Sequence, residues 1–299
     1  MKDVYVIGSK NTGGKNDPVA IAKAAKAAKT IYWEDLVFEI SLEKIQVTDT
    51  VSGANLKDAG LVIAVNWYKT GASSIYRDAA YALALYLQHH QVKFWNSEMA
   101  MQRSTTKLSA MMLMALNGFD IPATSFSLSY QNLTKLDKKF PAIIKDAAAS
   151  RGKHNYLINN HEELEGYLVD QDGPNCYLLQ EFVPNDSDLR VVCFNSEPKV
   201  IIRRTRQDSS THLNNTSRGG QAELIELKEL SPELINDCKK LCGLMGREMA
   251  GIDLMQSNDG LSRQVFLEVN AIPQLTSGTF IDQKLGALSA SLNDYLERN

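Results

Sequence analysis

Near the end of the chain, "VFLEVNAIPQLTSG" (265–278) sets two polar side chains into a run that otherwise reads as a buried strand. Side chains alternate across a strand, so Glu268 and Asn270 project from one face and Val265, Leu267 and Val269 from the other. A buried carboxylate without a partner is costly, so this strand must face something. Upstream, "AGIDLMQS" carries a second lone acid, Asp253, and is joined to "SRQVFLEVN" across "NDG", a hairpin signal. Pairing the two strands brings Asp253 and Glu268 within about two or three residues of register, close enough to share a ligand.

Asp, Glu and Asn offer only hard oxygen ligands, which suit magnesium rather than zinc. Magnesium keeps positions for water and substrate phosphate, so a set this small points to a bound nucleotide rather than an all-protein cage. A second reading stays open at this point: Asp253 pairs with a nearby arginine and Asn270 caps the turn before Pro273.

The 299 residues suffice for two or three packed units, and 44% hydrophobic with 22% charged residues is globular composition. A formal net charge of −3 gives no reason to expect nucleic acid or an anionic membrane as partner. No apolar run approaches membrane-span length. The four cysteines, Cys176, Cys193, Cys238 and Cys242, have no C-x-x-C spacing, and Cys238 with Cys242 reads as an i, i+4 core pair on a helix. With no secretion signal visible, a reducing cytoplasm is the expected setting.

Over the first hundred residues, "VYVIG", "GLVIAVNW" (60–67) and "VKFWN" (92–96) read as strands, alternating with helical patterns. Asp17 and Pro18 open the first helix, "PVAIAKAAKAAK", whose Lys23, Lys26 and Lys29 read as a solvated face. The alternation predicts a small α/β domain with a parallel sheet. "GSKNTGGK" (8–15) misses a Walker A loop, because Asn16 stands where the magnesium-binding hydroxyl belongs. It reads as a substrate-binding edge or a plain Gly-rich turn. Further on come a helix from 104 to about 117, then a strand, polar loop and strand over 140–158. Three strands follow between 176 and 205, and a helix over about 231–249 with Ser231 as N-cap and Pro232 at N1.

These pieces resemble the ATP-grasp superfamily, most closely the RimK-like carboxylate–amine ligases. The resemblance rests on "TTKLSAMMLMALNGFDIPAT", "FPAIIK", "LLQEFV" with "DLRVVCF", "SRGG", "AGIDLM" and "FLEVNAIPQL", in the family's order. It implies the α+β ATP-grasp fold: an N-terminal α/β domain over 1–97, a central subdomain over 98–182 with a phosphate lid, and a C-terminal subdomain over 183–299 with the metal site. Lys107 and Lys145 resemble the lysines on the ATP phosphates. Gln180, Glu181, Phe182 and Val183 resemble the hinge that reads adenine through its backbone, and Asp188 the acid near the ribose. Asp253, Glu268 and Asn270 match the metal ligands. Asn215 resembles the loop asparagine that reaches nucleotide and metal, and Arg218 the arginine that steadies the transferring phosphate.

The implied reaction phosphorylates a carboxylate with ATP and lets an amine displace phosphate, forming an amide. Two magnesium ions, with manganese as substitute, and carboxylate and amine substrates that are small molecules, peptides or proteins go with it, as does a homo-oligomer. A regulatory protein that keeps the fold without ligation, like synapsin, is the alternative. Three departures stand out. The lid "AAASRGK" (147–153) keeps only Gly152, so Ser150, Arg151 and Lys153 would add side-chain donors. The Asp253–Glu268 spacing looks long, and "HLNNTS" before "RGG" is less charged than usual.

Overall fold

The computed structural model describes residues 2–10, 16–25, 28–65, 73–97, 107–146, 155–169, 177–207, 214, 219–258, 260–261, 263–271 and 273–298. Ser150, Arg151, Gly152, Asn215 and Arg218, with most of the Gly-rich loop 8–15, lie outside the described residues.

The chain opens with β1 (Val4–Gly8), α1 (Pro18–Ala24) and β2 (Ala28–Tyr32). Asp17 caps α1 by accepting the Val19 N–H at 3.0 Å, and Pro18 occupies the first turn. The helix is shorter than its Ala-rich pattern predicts. Residues 28–32 join the sheet beside β1, in parallel, and Lys29 pairs with Asp3 at 2.6 Å instead of lining a helix. Tertiary pairing overrides a weak helix preference there.

An excursion, β3 (Leu36–Ile40) paired with β4 (Ile45–Asp49), precedes β5 (Leu61–Ala64), α2 (Ser73–His89) and β6 (Lys93–Trp95). The first sheet runs β2-β1-β5-β6, all parallel. The expected α/β unit is present.

Next come α3 (Lys107–Leu116), β7 (Thr124–Phe126), α4 (Tyr130–Thr134), β8 (Ala142–Asp146), β9 (Asn155–Ile158), α5 (His161–Val169) and β10 (Tyr177–Glu181). They form an antiparallel sheet ordered β7-β10-β8-β9, with Leu133, Leu164 and Leu168 of the helices packed on Ile144 and Leu179.

The last sheet is built from β11 (Ser187–Phe194), β12 (Glu197–Thr205), β13 (Gln221–Ile225), β14 (Met249–Gln256) and β15 (Gln264–Asn270), in the order β13-β12-β11-β14-β15. Between β13 and β14 runs α6 (Pro232–Met245). Ser231 Oγ accepts the Leu234 N–H at 3.2 Å, and Gly246 ends the helix at φ 67°. A final helix, α7 (Ile281–Arg298), had no sequence expectation.

One face of this antiparallel sheet packs on α3 and α6 through Met114, Leu241 and Cys242, with Cys238 as a core residue as expected. Its other face meets α7 and the parallel sheet: Val192, Phe194 and Ile202 share a core with Val6, Trp95, Leu288 and Leu292. The two sheets are therefore fused through one apolar layer. No described helix is long and apolar enough to cross a membrane.

Candidate active site

The hairpin does better than its sequence spacing suggests. Asp253 and Glu268 are directly paired in register, with Gly251 opposite Asn270. The register then shifts, so that Leu254 faces Phe266 and Leu267 is the extra residue. This β-bulge overturns the simple alternation. Phe266 and Val269 enter the core, whereas Leu267 lines a cleft shared with Lys145. A bulge locally breaks period two, which is how Leu267 and Glu268, adjacent in sequence, both avoid the core.

Asp253 is 7% exposed and heavily engaged. Arg190 grips it with two hydrogen bonds, Nε to Oδ1 at 2.7 Å and Nη2 to Oδ2 at 2.6 Å. Arg204 reaches Oδ1 at 3.2 Å, and the Asn270 amide reaches Oδ2 at 3.4 Å. Burial alone would raise the Asp253 pKa; the two guanidiniums outweigh it and hold the carboxyl below its ordinary value. So the arginine pairing left open by the sequence is present.

Glu268 is the contrasting half of the pair. It is half-buried and accepts no hydrogen bond among the described residues, while Lys145 and Arg190 act on it through space. No group of three or more His, Cys, Asp or Glu suited to a metal occurs among the described residues. Asp253, Glu268 and Asn270 stand together as two carboxylates and an amide.

Lys145 sits on β8 opposite this hairpin. Its ammonium is pushed down to about 8, chiefly by burial, with Lys107 acting the same way and Glu268 and Asp253 opposing. Lys107, at the start of α3, is thereby placed within electrostatic reach of Lys145. A half-buried lysine with a depressed pKa beside a second lysine is poised to gain from a polyanion.

From Lys145 a cleft runs along the hinge. Ile143 and Leu267 line it from opposite sheets, and Glu181, Phe182 and Val183 form its edge. The Gln180 side chain donates to Thr124 Oγ1 at 2.7 Å, and Arg263 donates to Glu181 Oε1 at 3.0 Å. Both side chains are thus occupied by protein partners.

Asp188 also lines the cleft, at 6% exposed, and receives the Arg204 Nε–H at 2.5 Å. Burial raises its pKa, with Arg204 opposing and Asp253 adding to the rise. Asp188, Arg204, Asp253 and Arg190 therefore form one alternating ionic chain across β12, β11 and β14.

Beyond Arg190 and Arg204 lies a second cavity, walled by Pro273, Gln274, Thr279 and Lys284. Lys284, 3% exposed, donates to the carbonyls of Gln274 and Ser277, the latter at 2.9 Å. Three cationic side chains converge there. Of the two neighbouring arginines on β12, Arg204 turns inward, whereas Arg203 pairs with Glu223 at 2.8 Å on the exposed side. Lys284 gave no sequence signal, because a lysine on a helix reads as solvated.

Asn16 and Asp17, just before α1, meet the segment after β15. Leu275 N–H donates to Asn16 Oδ1 at 2.8 Å, and Asp17 N–H to Thr276 Oγ1 at 3.0 Å.

Several comparisons agree with this geometry. Residues 104–287 match the family model of the RimK-like ATP-grasp domain. A probable alpha-L-glutamate ligase of Picosynechococcus sp. is 27% identical over 210 residues, 68% of this chain and 67% of that protein. One of Saccharophagus degradans is 30% identical over 186 residues, 60% of each. Among solved structures, the macrocyclase MdnC of Microcystis aeruginosa MRC, bound with precursor peptide MdnA, superposes with TM-score 0.69 at 14% identity, covering 98% of this chain and 99% of that one. The ATP-grasp ligase PsnB, complexed with minimal precursor, Mg and ADP, gives 0.72 at 16%, covering 99% and 98%. With the family model spanning most of the chain and the acid–amide hairpin, paired lysines and hinge cleft in one place, this protein belongs to the RimK-like ATP-grasp family.

Proposed function

We propose that this protein is an ATP-dependent ligase that joins a carboxylate to an amine through an acyl phosphate, releasing ADP and phosphate. The observation that carries the reading is the meeting of three features around Asp253 and Glu268. A base-sized cleft with a backbone hinge lies on one side, Lys145 stands above, and a cavity ringed by Arg190, Arg204 and Lys284 lies on the other. A nucleotide in the cleft would direct its phosphates past Lys145 and Lys107 toward the cationic cavity, where a substrate carboxylate finds its counter-charge.

The donor set fits magnesium. Glu268 has carboxylate oxygens without hydrogen-bond donors among the described residues, and Asp253 and Asn270 stand beside it. Asp253, Glu268 and Asn270 would hold one or two such ions, whose charge would offset that of the phosphates. The chain's own groups do the rest: Arg190 and Arg204 orient Asp253, and Lys145 aligns phosphate by charge. The hinge backbone sets the base, and Arg218 steadies the transferring phosphoryl group. In this reading the chain divides into three parts, 1–97, 98–182 and 183–299, each contributing one wall. The relatives' names favour an amino-acid substrate such as glutamate, and the peptides bound by structural neighbours favour a peptide carboxylate or amine as the other.

An ATP-binding regulator without ligation is the weaker alternative, because binding alone needs no cationic cavity beyond the metal pair. The test is ADP and phosphate release with magnesium across a panel of amino acids and acidic peptides. Release should depend on both a carboxylate and an amine, and Glu268→Gln should abolish it while leaving the far-UV circular dichroism spectrum unchanged. Background release with every pair, or wild-type turnover in Glu268→Gln, would sink the ligase reading.

A further inference from the structure

The long Asp253–Glu268 spacing is taken up by the bulge and by the connection between β14 and β15, "SNDGLSR" (257–263). A longer loop costs little in closure entropy, and this one is closed at its neck. There the Ser257 N–H donates to the Arg263 carbonyl at 2.9 Å, and the Arg263 N–H donates to Ser257 Oγ at 2.9 Å.

The loop grips the hinge from both of its ends. Arg263 Nε and Nη2 donate to the two carboxylate oxygens of Asp120 at 2.9 and 3.0 Å, and Nη1 donates to Glu181 Oε1 at 3.0 Å. Glu181 Oε2 in turn accepts the Ala123 N–H at 3.2 Å. From the other end, the Asn258 N–H donates to the Pro184 carbonyl at 2.9 Å. The contacts at Glu181 and Pro184 flank Phe182 and Val183, which edge the base cleft. A single exposed ion pair is worth little. Arg263, however, is 23% exposed, binds Asp120 as a fork and joins two carboxylates into one network.

We propose that Arg263 is a positioning residue for the nucleotide base: acting through Glu181, it clamps the hinge to the hairpin that carries Asp253, Glu268 and Asn270. This rests on the ATP-dependent reading above. One hairpin then holds the metal ligands on its strands and the hinge at its tip. The span from base to phosphates is set by that single element rather than by the packing of two sheets alone. Arg263 touches no base. Without it, the backbone at Phe182 and Val183 would shift against the cleft walls Ile143 and Leu267. Adenine presents an amino donor where guanine presents a carbonyl acceptor, so preference for ATP over GTP reports how firmly that backbone is held.

The test measures ATP and GTP binding with magnesium by isothermal titration calorimetry. The wild type should prefer ATP, and Arg263→Met should narrow that preference roughly three- to tenfold by weakening ATP more than GTP. Arg263→Lys should fall between them, because one ammonium cannot replace a fork that spans two carboxylates. Glu181→Ala should narrow the ratio by the same route, and the double variant should go little further than Arg263→Met alone. An arginine that serves stability alone would lower the unfolding temperature and weaken both nucleotides by one factor; that result would overturn the proposal. So would an unchanged ATP-to-GTP ratio in Arg263→Met, additive effects in the double variant, or a wild type without preference. Where Arg263→Met does not fold, Glu181→Ala decides: a narrowed ratio upholds the clamp and an unchanged one overturns it. Binding is read apart from turnover. ATP that binds with base preference but yields no ADP refutes only the ligase reading, and failure to bind ATP at all refutes both.

Discussion

Single residues in this protein differ sharply in how readily their roles can be read. Glu268 is conspicuous in a string of letters because a lone acid in an apolar strand needs a partner. Lys284 is not, because only the fold shows that its helix is packed down on that side. Burial, then the nearby Arg190, brings its ammonium down to about 8 from an ordinary 10.5. Below about pH 8 both folded and unfolded chains hold the proton, and the folded state carries the full cost of the buried charge. Between about pH 8 and 10 the folded state releases a proton that the unfolded chain keeps, so stability rises with pH in that window. The gap in urea midpoint between wild type and Lys284→Met should therefore move in favour of the wild type from pH 7 to pH 9.5. An unchanged gap would show that Lys284 does not titrate there.

At the scale of elements, the hairpin was legible and its bulge was not. The "NDG" turn and the two acids predict β14 and β15 and bring Asp253 near Glu268, but no local signal marks Leu267 as the inserted residue. The bulge absorbs one residue, so deleting Leu267 should restore regular alternation while Phe266 and Val269 stay in the core and Glu268 stays opposite Asp253. The expected product folds with an unfolding temperature close to wild type, yet binds ATP on the order of tenfold more weakly, because the cleft loses one wall contact. A Leu267 deletion that binds ATP normally by calorimetry would mean the bulge serves stability alone. The shortness of α1 has a related cause. Alanine-rich sequence favours helix weakly, and a free strand position beside β1 outweighs it for residues 28–32.

For the whole molecule, the decisive contacts join parts far apart in the chain. Asn96, fully buried at φ 59°, donates to the Met249 carbonyl at 2.7 Å and to the Ala271 carbonyl, and accepts the Met249 N–H at 2.8 Å. Its own backbone N–H donates to Glu248 at 2.8 Å. This one side chain ties the end of the parallel sheet to β14 and to the residue that follows β15. Asn96→Ala would leave three backbone groups, two of them buried, without those partners and should cost about 3 kcal/mol in denaturant titration. A loss below about 0.5 kcal/mol would show that the apolar layer through Trp95 and Phe194 holds the sheets together unaided.

By itself, the sequence determined which chemical groups are present, in what order, and on which kind of element. Hard-oxygen ligands, a lysine ending a buried strand, and a hinge followed by strands are local patterns, and local periodicity and residue chemistry suffice to read them. Only the tertiary structure decided who faces whom. Arg190 and Asp253 stand 63 residues apart, Arg204 and Asp253 49, and Asn185 and Asn214 29. Such pairs are chosen by strand order and register, and their energies come from excluding water around them. Neither strand order nor burial is written in the spacing of residues along one strand.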